Sequence, residues 1–239
     1  MIRFIVRGLI TLAGCLFSLT TFAASLQMYP LTVNFCNKET VEPVYVKNTG
    51  SEPIGAQLRV YQWQQKDNKE ILTPTQSVII SPPIANIPPG REQLVRLVSP
   101  VPVPDQGNEQ SYRLIIDELP DGKAKNGDSQ VHFLLRYSVP VFFGCGTKKI
   151  DMSTISARID SRNSQPRLVV RNTGAQHLKL SKVALISAGK SYLITGGLLG
   201  YVLPGNEMAW DLPLKLSAGS AITAAVNDNP TSQTITLTN

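Results

Sequence analysis

Residues 131–143, "VHFLLRYSVPVFF", constrain the fold more tightly than any other stretch. Every second residue from Val131 is apolar or aromatic: Val131, Phe133, Leu135, Tyr137, Val139, Val141 and Phe143. The alternate register of His132, Leu134, Arg136, Ser138, Pro140 and Phe142 is mixed. Side chains alternate across a strand with period two, so the pattern predicts one strand with a wholly apolar face. Its 13 residues are about twice the usual strand length. Pro140 has no N–H, so hydrogen-bonded pairing must break there or pass to an edge.

The chain opens "MIRFIVRGLITLAGCLFSLTTFAASLQ". Arg3 and Arg7 precede an apolar stretch from Gly8 to Leu19, and Ala23 and Ala24 close it with small residues. This is the layout of a cleaved secretory signal peptide over residues 1–24, to be kept apart from the fold. The "LAGC" at 12–15 also fits a lipoprotein signal lipidated at Cys15, but the residues after Cys15 stay apolar where a polar tether would follow. Loss of Arg3 and Arg7 takes the formal charge from +6 to +4. The 23 Lys and Arg are dispersed, whereas a nucleic-acid footprint gathers them into a stripe. No second apolar run is long enough to span a bilayer. Neither nucleic acid nor membrane insertion is therefore expected. Cys36 and Cys145 remain once Cys15 is gone, as one disulfide or as two free thiols.

Strand signals dominate. "VEPVYVKN", "IGAQLRVYQW", "SVIIS", "EQLVRLV" and "SYRLIIDEL" are short β-rich runs between turn clusters such as "NTGSEP" and "PPIANIPPG". That rhythm predicts all-β sandwiches. An internal echo divides the chain into two. "VYVKNTGSEPIGAQLRV" from Val44 and "LVVRNTGAQHLKLSKVAL" from Leu168 share a strand, a basic residue, an Asn-Thr-Gly turn and a second strand. The turns, at 48–50 and 172–174, are about one sandwich domain apart. The expected units are 25–147 and 148–239.

Catalytic and metal signatures are sparse. With only two histidines, His132 and His177, and no Cys-x-x-Cys pair, imidazole- or thiolate-based metal centres lack ligands. No Gly-x-Ser-x-Gly elbow is present. "GGLLG" at 196–200 is wrongly spaced for a dinucleotide loop and fits a turn or bulge. No cofactor and no enzymatic activity are expected.

Three ordered motifs, "IISPPIANIPPGREQLVRL" (79–97), "YRLIIDELP" (112–120) and "LLRYSVPVFF" (134–143), follow the signal peptide. Together they resemble the periplasmic chaperones of pilus assembly by the chaperone–usher route. The resemblance covers most of 25–145 and is weaker beyond it. It implies two immunoglobulin-like domains in a boomerang arrangement, a periplasmic location, and pilin subunits and an outer-membrane usher as partners. It also answers the puzzle of the long strand. Such chaperones lend their G strand to a subunit that lacks its own last strand. Val131, Phe133 and Leu135 are then the implied donor residues, although the same pattern suits an ordinary core strand. An exposed apolar edge also favours self-association of the free protein.

One departure stands out. The family anchors the subunit's terminal carboxylate with two cations, and the aligned positions here hold Thr32 and Pro140. Arg96, Arg113 and Arg136 are the candidate replacements, since an Arg fork suits a buried carboxylate. The first strand of the family runs beside the end of the G strand, which implies a Cys36–Cys145 bond. The archaic branch of the family is similar in its "RYSVPVF" strand. The rival readings are a secreted pilus subunit or adhesin, and a periplasmic enzyme or metal carrier on an immunoglobulin-like scaffold.

Overall fold

A computed structural model describes residues 26–36, 38–102, 107–120, 133–144, 150–162, 165–213, 216 and 218–238. Within those residues the long elements are all strands, and Met152–Thr154 forms a short 3-10 turn. The strands make two β-sandwiches, as the turn rhythm and the internal echo predict.

In the first sandwich one sheet has the order β1 (Leu26–Tyr29), β3 (Val41–Asn48), β8 (Glu92–Val98) and β6 (Ile79–Ser81). The facing sheet runs β2 (Val33–Phe35), β10 (Arg136–Phe143), β9 (Gln110–Leu119), β4 (Ile54–Lys66) and β5 (Lys69–Pro74), with β7 (Ile84–Ile87) also paired to β4. Alternation decides which side chains enter the core. Leu26, Val44, Val46, Val95 and Leu97 come from one sheet, and Phe35, Leu58, Leu114, Ile116 and Val141 from the other.

The second sandwich packs β11 (Ile155–Asp160), β12 (Arg167–Asn172) and β15 (Glu207–Asp211) against β14 (Lys190–Val202), β13 (Leu178–Ser187), β16 (Ala221–Val226) and β17 (Gln233–Thr236). Leu168, Leu178, Leu180, Leu185 and Ile222 fill its centre. "GGLLG" lies inside β14, where the pairing with β13 slips register between Leu180 and Ala184. It is a bulge, not a binding loop.

Near the mature start β1 joins the first sheet and β2 the second, so the chain crosses between sheets at Pro30–Thr32. One expectation changes. The strand expected over 131–143 begins, among the described residues, at Arg136. Phe133 to Leu135 precede it, although β9 runs on to Leu119 and Glu118 N still donates to Leu135 O. Val131 and His132 lie outside the described residues.

The repeated Asn-Thr-Gly turns rest on the same bonds. Asn48 Nδ2 donates to the carbonyls of Glu52 (2.7 Å) and Ile87 (2.9 Å), and Asn48 Oδ1 accepts from Gly50 N (2.8 Å). Asn172 Nδ2 donates to Gln176 O (2.7 Å) and Val202 O (3.0 Å), and Asn172 Oδ1 accepts from Gly174 N (2.9 Å). Both side chains are fully buried. Each therefore ties its turn to a distant strand end and satisfies carbonyls that would otherwise be orphaned. Asn48→Ala and Asn172→Ala should each destabilise by about 2–4 kcal/mol, read as a lowered urea midpoint.

Candidate functional site

The hydrogen bonds of β10 are one-sided. It pairs with β9 along its whole length, Arg136 opposite Asp117 through Phe143 opposite Gln110. On its other side, among the described residues, only Val141–Phe143 have a strand partner, the parallel strand β2. Leu135 O accepts from Glu118 N at 2.9 Å, one step beyond the strand. An antiparallel ladder alternates inward and outward residues, so odd-numbered residues bond to β9. Arg136, Ser138 and Pro140 thus turn their backbone groups to the open side. Gly144 N, donating to Phe35 O at 3.2 Å, has the parity expected of an outward residue. Pro140 therefore sits where its missing N–H breaks no bond to β9, which resolves the difficulty read from the sequence.

The implied donor residues fare differently. Phe133 is 80% exposed, whereas Leu135 and Tyr137 pack on the first core. Val139, Val141 and Phe143 are ordinary core residues. The Tyr137 hydroxyl donates to Leu26 O and so ties β10 to β1, the edge of the opposite sheet.

The outer face of the second sheet gathers most of the remaining candidates. Pro140 stands opposite Arg113 on β9. Thr32 immediately precedes the β2 residue that pairs with Val141. Thr32, Pro140 and Arg113 therefore fall on neighbouring strands. The Arg113 guanidinium is buried, 3.6 Å over the Trp63 ring and 5.2 Å from the Tyr201 ring centre, with Glu70 at 3.4 Å. Its Nε has no hydrogen-bond partner among the described residues. Burial lowers its pKa and Glu70 opposes that shift, and an Arg side chain stays charged under such conditions. Arg136, at the open edge, pairs with Asp117, which also pairs with Arg59. Burial works to raise the Asp117 pKa, but hydrogen bonds from Arg136 and Arg59 outweigh it and hold the carboxyl below its usual range. Arg96 lies apart from all of these, on the outer face of the first sheet. Cys36 is disulfide-bonded; Cys145 lies outside the described residues.

The same outer face meets the second sandwich through residues that, Phe142 apart, lie outside the three motifs. Trp63, Phe142, Tyr201 and Leu203 form a small aromatic core between the two units. Gln65 clamps the end of β14: its Nε2 donates to Tyr201 O (2.9 Å) and its Oε1 accepts from Leu203 N (2.8 Å). Glu109 N donates to Ala175 O (2.9 Å), and both Glu109 carboxylate oxygens lie 2.9 Å from His177 Nδ1. The His177 ring stacks on Phe142 at 3.6 Å and 4°. Beside it a cavity of about 290 Å³ is lined by Thr32, Asn34, His177, Lys179 and Asp228, among others. Lys179, 2.7 Å from Asp228, is thus a cleft cation that the sequence reading passed over. A sequence signal did exist: Tyr61, Trp63 and Gln65 occupy the register of β4 that would otherwise face water. Among the described residues there is no group of three His, Cys, Asp or Glu that could hold a metal, and no helix long and apolar enough to cross a membrane.

The chain can now be placed among known proteins. The family model for pili and flagellar-assembly chaperones, PapD N-terminal domain, matches residues 25–144. The chain belongs to this family, the pilus chaperones of the chaperone–usher route. It is similar to a chain of the CsuC–CsuE chaperone–tip adhesion subunit pre-assembly complex, from the archaic chaperone–usher Csu pili of Acinetobacter baumannii. That match is 28% identical and covers 90% of this chain and 98% of the other, with a TM-score of 0.69. The fold is shared with a chain of the Salmonella enterica SafA pilin–SafB chaperone complex (18% identity, 91% and 99% covered, TM-score 0.66). It is shared too with the CupB2 chaperone of Pseudomonas aeruginosa (19% identity, 89% and 100% covered, TM-score 0.62). A comparison with curated protein sequences finds no match.

The Gln65 clamp makes a direct prediction. Gln65→Ala removes two buried hydrogen bonds that cross between the sandwiches. It should cost about 2–3 kcal/mol and split a single urea transition into two, seen by fluorescence and by circular dichroism.

Proposed function

We propose that the chain is a non-enzymatic periplasmic chaperone of the archaic type. It completes pilin subunits by donor-strand complementation and delivers them to an outer-membrane usher. The observation that carries the reading is the open side of β10, which continues into the exposed Phe133. An incoming subunit strand would hydrogen-bond to the outward groups of Arg136 and Ser138. The side chains of Val131, Phe133 and Leu135 would fill the pockets left by the subunit's missing strand. Burying an aromatic or aliphatic side chain contributes roughly 1.5–3 kcal/mol, so Phe133 has the most to gain and Leu135, already packed in part, less.

The augmented ladder would end at Pro140, which offers a carbonyl but no N–H. The subunit's terminal carboxylate would then lie near Thr32 and Pro140. Of the three candidate arginines, Arg113 is the one beside that point. Arg136 is engaged by Asp117, and Arg96 is on the other sheet. The family resemblance and the register of β2 on β10 support Cys145 as the partner of Cys36, a bond that would pin the first strand to the end of the donor strand. The free protein would shield its edge by pairing with a second copy. The rival reading, a secreted pilus subunit, expects the last strand to be missing, whereas β10 is packed into the first core.

The test is co-expression in a bacterial periplasm with the pilin encoded beside the chaperone. Phe133→Asp changes a side chain that supports nothing in the free fold, so the chaperone should remain soluble with an unchanged melting temperature. Recovery of the one-to-one pilin complex should fall at least tenfold. Full recovery of the complex would remove residues 131–135 from the donor role.

A further inference from the structure

The outer face of the first sheet is apolar where a two-layer sandwich has no fold-based reason to make it so. Four cross-strand rows can be read from the registers. Gln27, Lys47 and Glu92 form a polar row at one end. Next come Tyr29, Tyr45 and Leu94, with Tyr29 stacked on Tyr45 at 4.9 Å and 13°. Pro43, Arg96 and Ser81 form the third row, and Val41, Val98 and Ile79 the last. Tyr29, Val41 and Ile79 are 45%, 46% and 52% exposed. Cross-strand neighbours on one face lie about 5 Å apart, so these side chains form one continuous surface. Arg96 is exposed at its centre, and its guanidinium makes no hydrogen bond or ion pair with any described residue.

The second sandwich supplies an internal comparison. By the shared Asn48 and Asn172 turns, the sheet of β11, β12 and β15 is the counterpart of this one. The rung Arg171–Glu207 matches Lys47–Glu92. Its outer face is solvated in the usual manner. Arg158 makes a two-pronged ion pair with Glu207 at 2.8 and 3.0 Å, and Arg167 lies 3.2 Å from Asp211. The same architecture thus carries paired charges in one copy. The other carries an apolar surface with Lys47 at its polar end and Arg96 unpaired at its centre, the pattern of an interaction site.

We infer that this face, centred on Arg96 between the Tyr29–Tyr45 pair and the Val41–Ile79 row, docks an extended protein segment carrying a carboxylate flanked by apolar side chains. Charge complementarity selects the occupant. A wholly apolar segment would leave the Arg96 guanidinium desolvated without a partner, whereas an acidic residue can take its fork in two hydrogen bonds. The face lies on the opposite layer from the contacts with the second sandwich. The segment therefore need not compete with a strand added to β10.

The experiment selects a random dodecapeptide library displayed on phage against the purified mature chain. Enriched sequences should carry Asp or Glu between apolar or aromatic residues. A synthetic peptide of the leading sequence should bind wild type at least tenfold more tightly than Arg96→Glu. Val41→Ser with Ile79→Ser should weaken it comparably, and Phe133→Asp should leave it unchanged. Melting curves of these surface variants should match wild type. The inference is overturned if nothing is enriched, if the enriched sequences lack an acid, or if they bind Arg96→Glu as well as wild type. Sedimentation showing a dimer that Arg96→Glu dissociates would overturn it in favour of a second copy. Since the Phe133 variant reads the β10 edge and the Arg96 variant reads this face, failure of one is separable from failure of the other.

Discussion

A backbone amide that leaves water must find another partner, and from Arg136 to Pro140 β10 finds one, among the described residues, on one side only. Its odd-numbered residues bond to β9; its even-numbered residues from Arg136 to Pro140 face the open side. Much of the first sandwich follows from this asymmetry. β2 covers the strand only from Val141 onward, because the chain crosses from β1 to β2 at Pro30–Thr32 and reaches the second sheet late. Pro140 occupies a position where an N–H would have no strand partner among the described residues. An open edge is an aggregation hazard, and here it is flanked by an Arg and a Pro, the residue types that blunt edges.

The opposite demand, complete satisfaction, governs the contact between the sandwiches. Gln65 behaves as a short stretch of borrowed backbone, one donor and one acceptor closing on the end of β14. Glu109 does the same for the turn before β13 while accepting from His177. Around them Trp63, Phe142 and Tyr201 exclude water, and Arg113 lies over two aromatic rings, a contact strengthened by desolvation. These polar groups are buried by the second sandwich, so the geometry of β10 relative to the cleft is set by bonds from both units.

The sequence made the periodic parts legible. Strands at Val41–Asn48, Glu92–Val98 and Gln110–Leu119 follow from alternation within a residue, and the Asn-Thr-Gly echo proved to be two copies of one buried amide network. The parity of the long strand was also correct, with Tyr137 to Phe143 alternating into the core as written. Its start was not legible, because alternation says which face is apolar but not where the regular ladder begins. Nor could alternation distinguish Phe133, out in solvent, from Leu135, packed on the first core. The residues joining the sandwiches were hidden for a related reason. Glu109 and His177 are 68 positions apart and lie in loops, where no period operates. Arg113 read as one of three interchangeable strand arginines until the fold separated them: one over Trp63, one paired with Asp117, one alone on the other sheet.

The central claim concerns backbone hydrogen bonds, so amide hydrogen exchange resolved by residue tests it most directly. In the free protein the amides of Val139 and Val141, bonded to β9, should exchange slowly, and those of Arg136 and Ser138 should exchange fast. In the complex with pilin, Arg136 and Ser138 should become protected by at least two orders of magnitude, because a free-energy gain of about 1.4 kcal/mol corresponds to each factor of ten. Unchanged exchange at these two amides in a stable complex, with protection appearing elsewhere, would contradict the account.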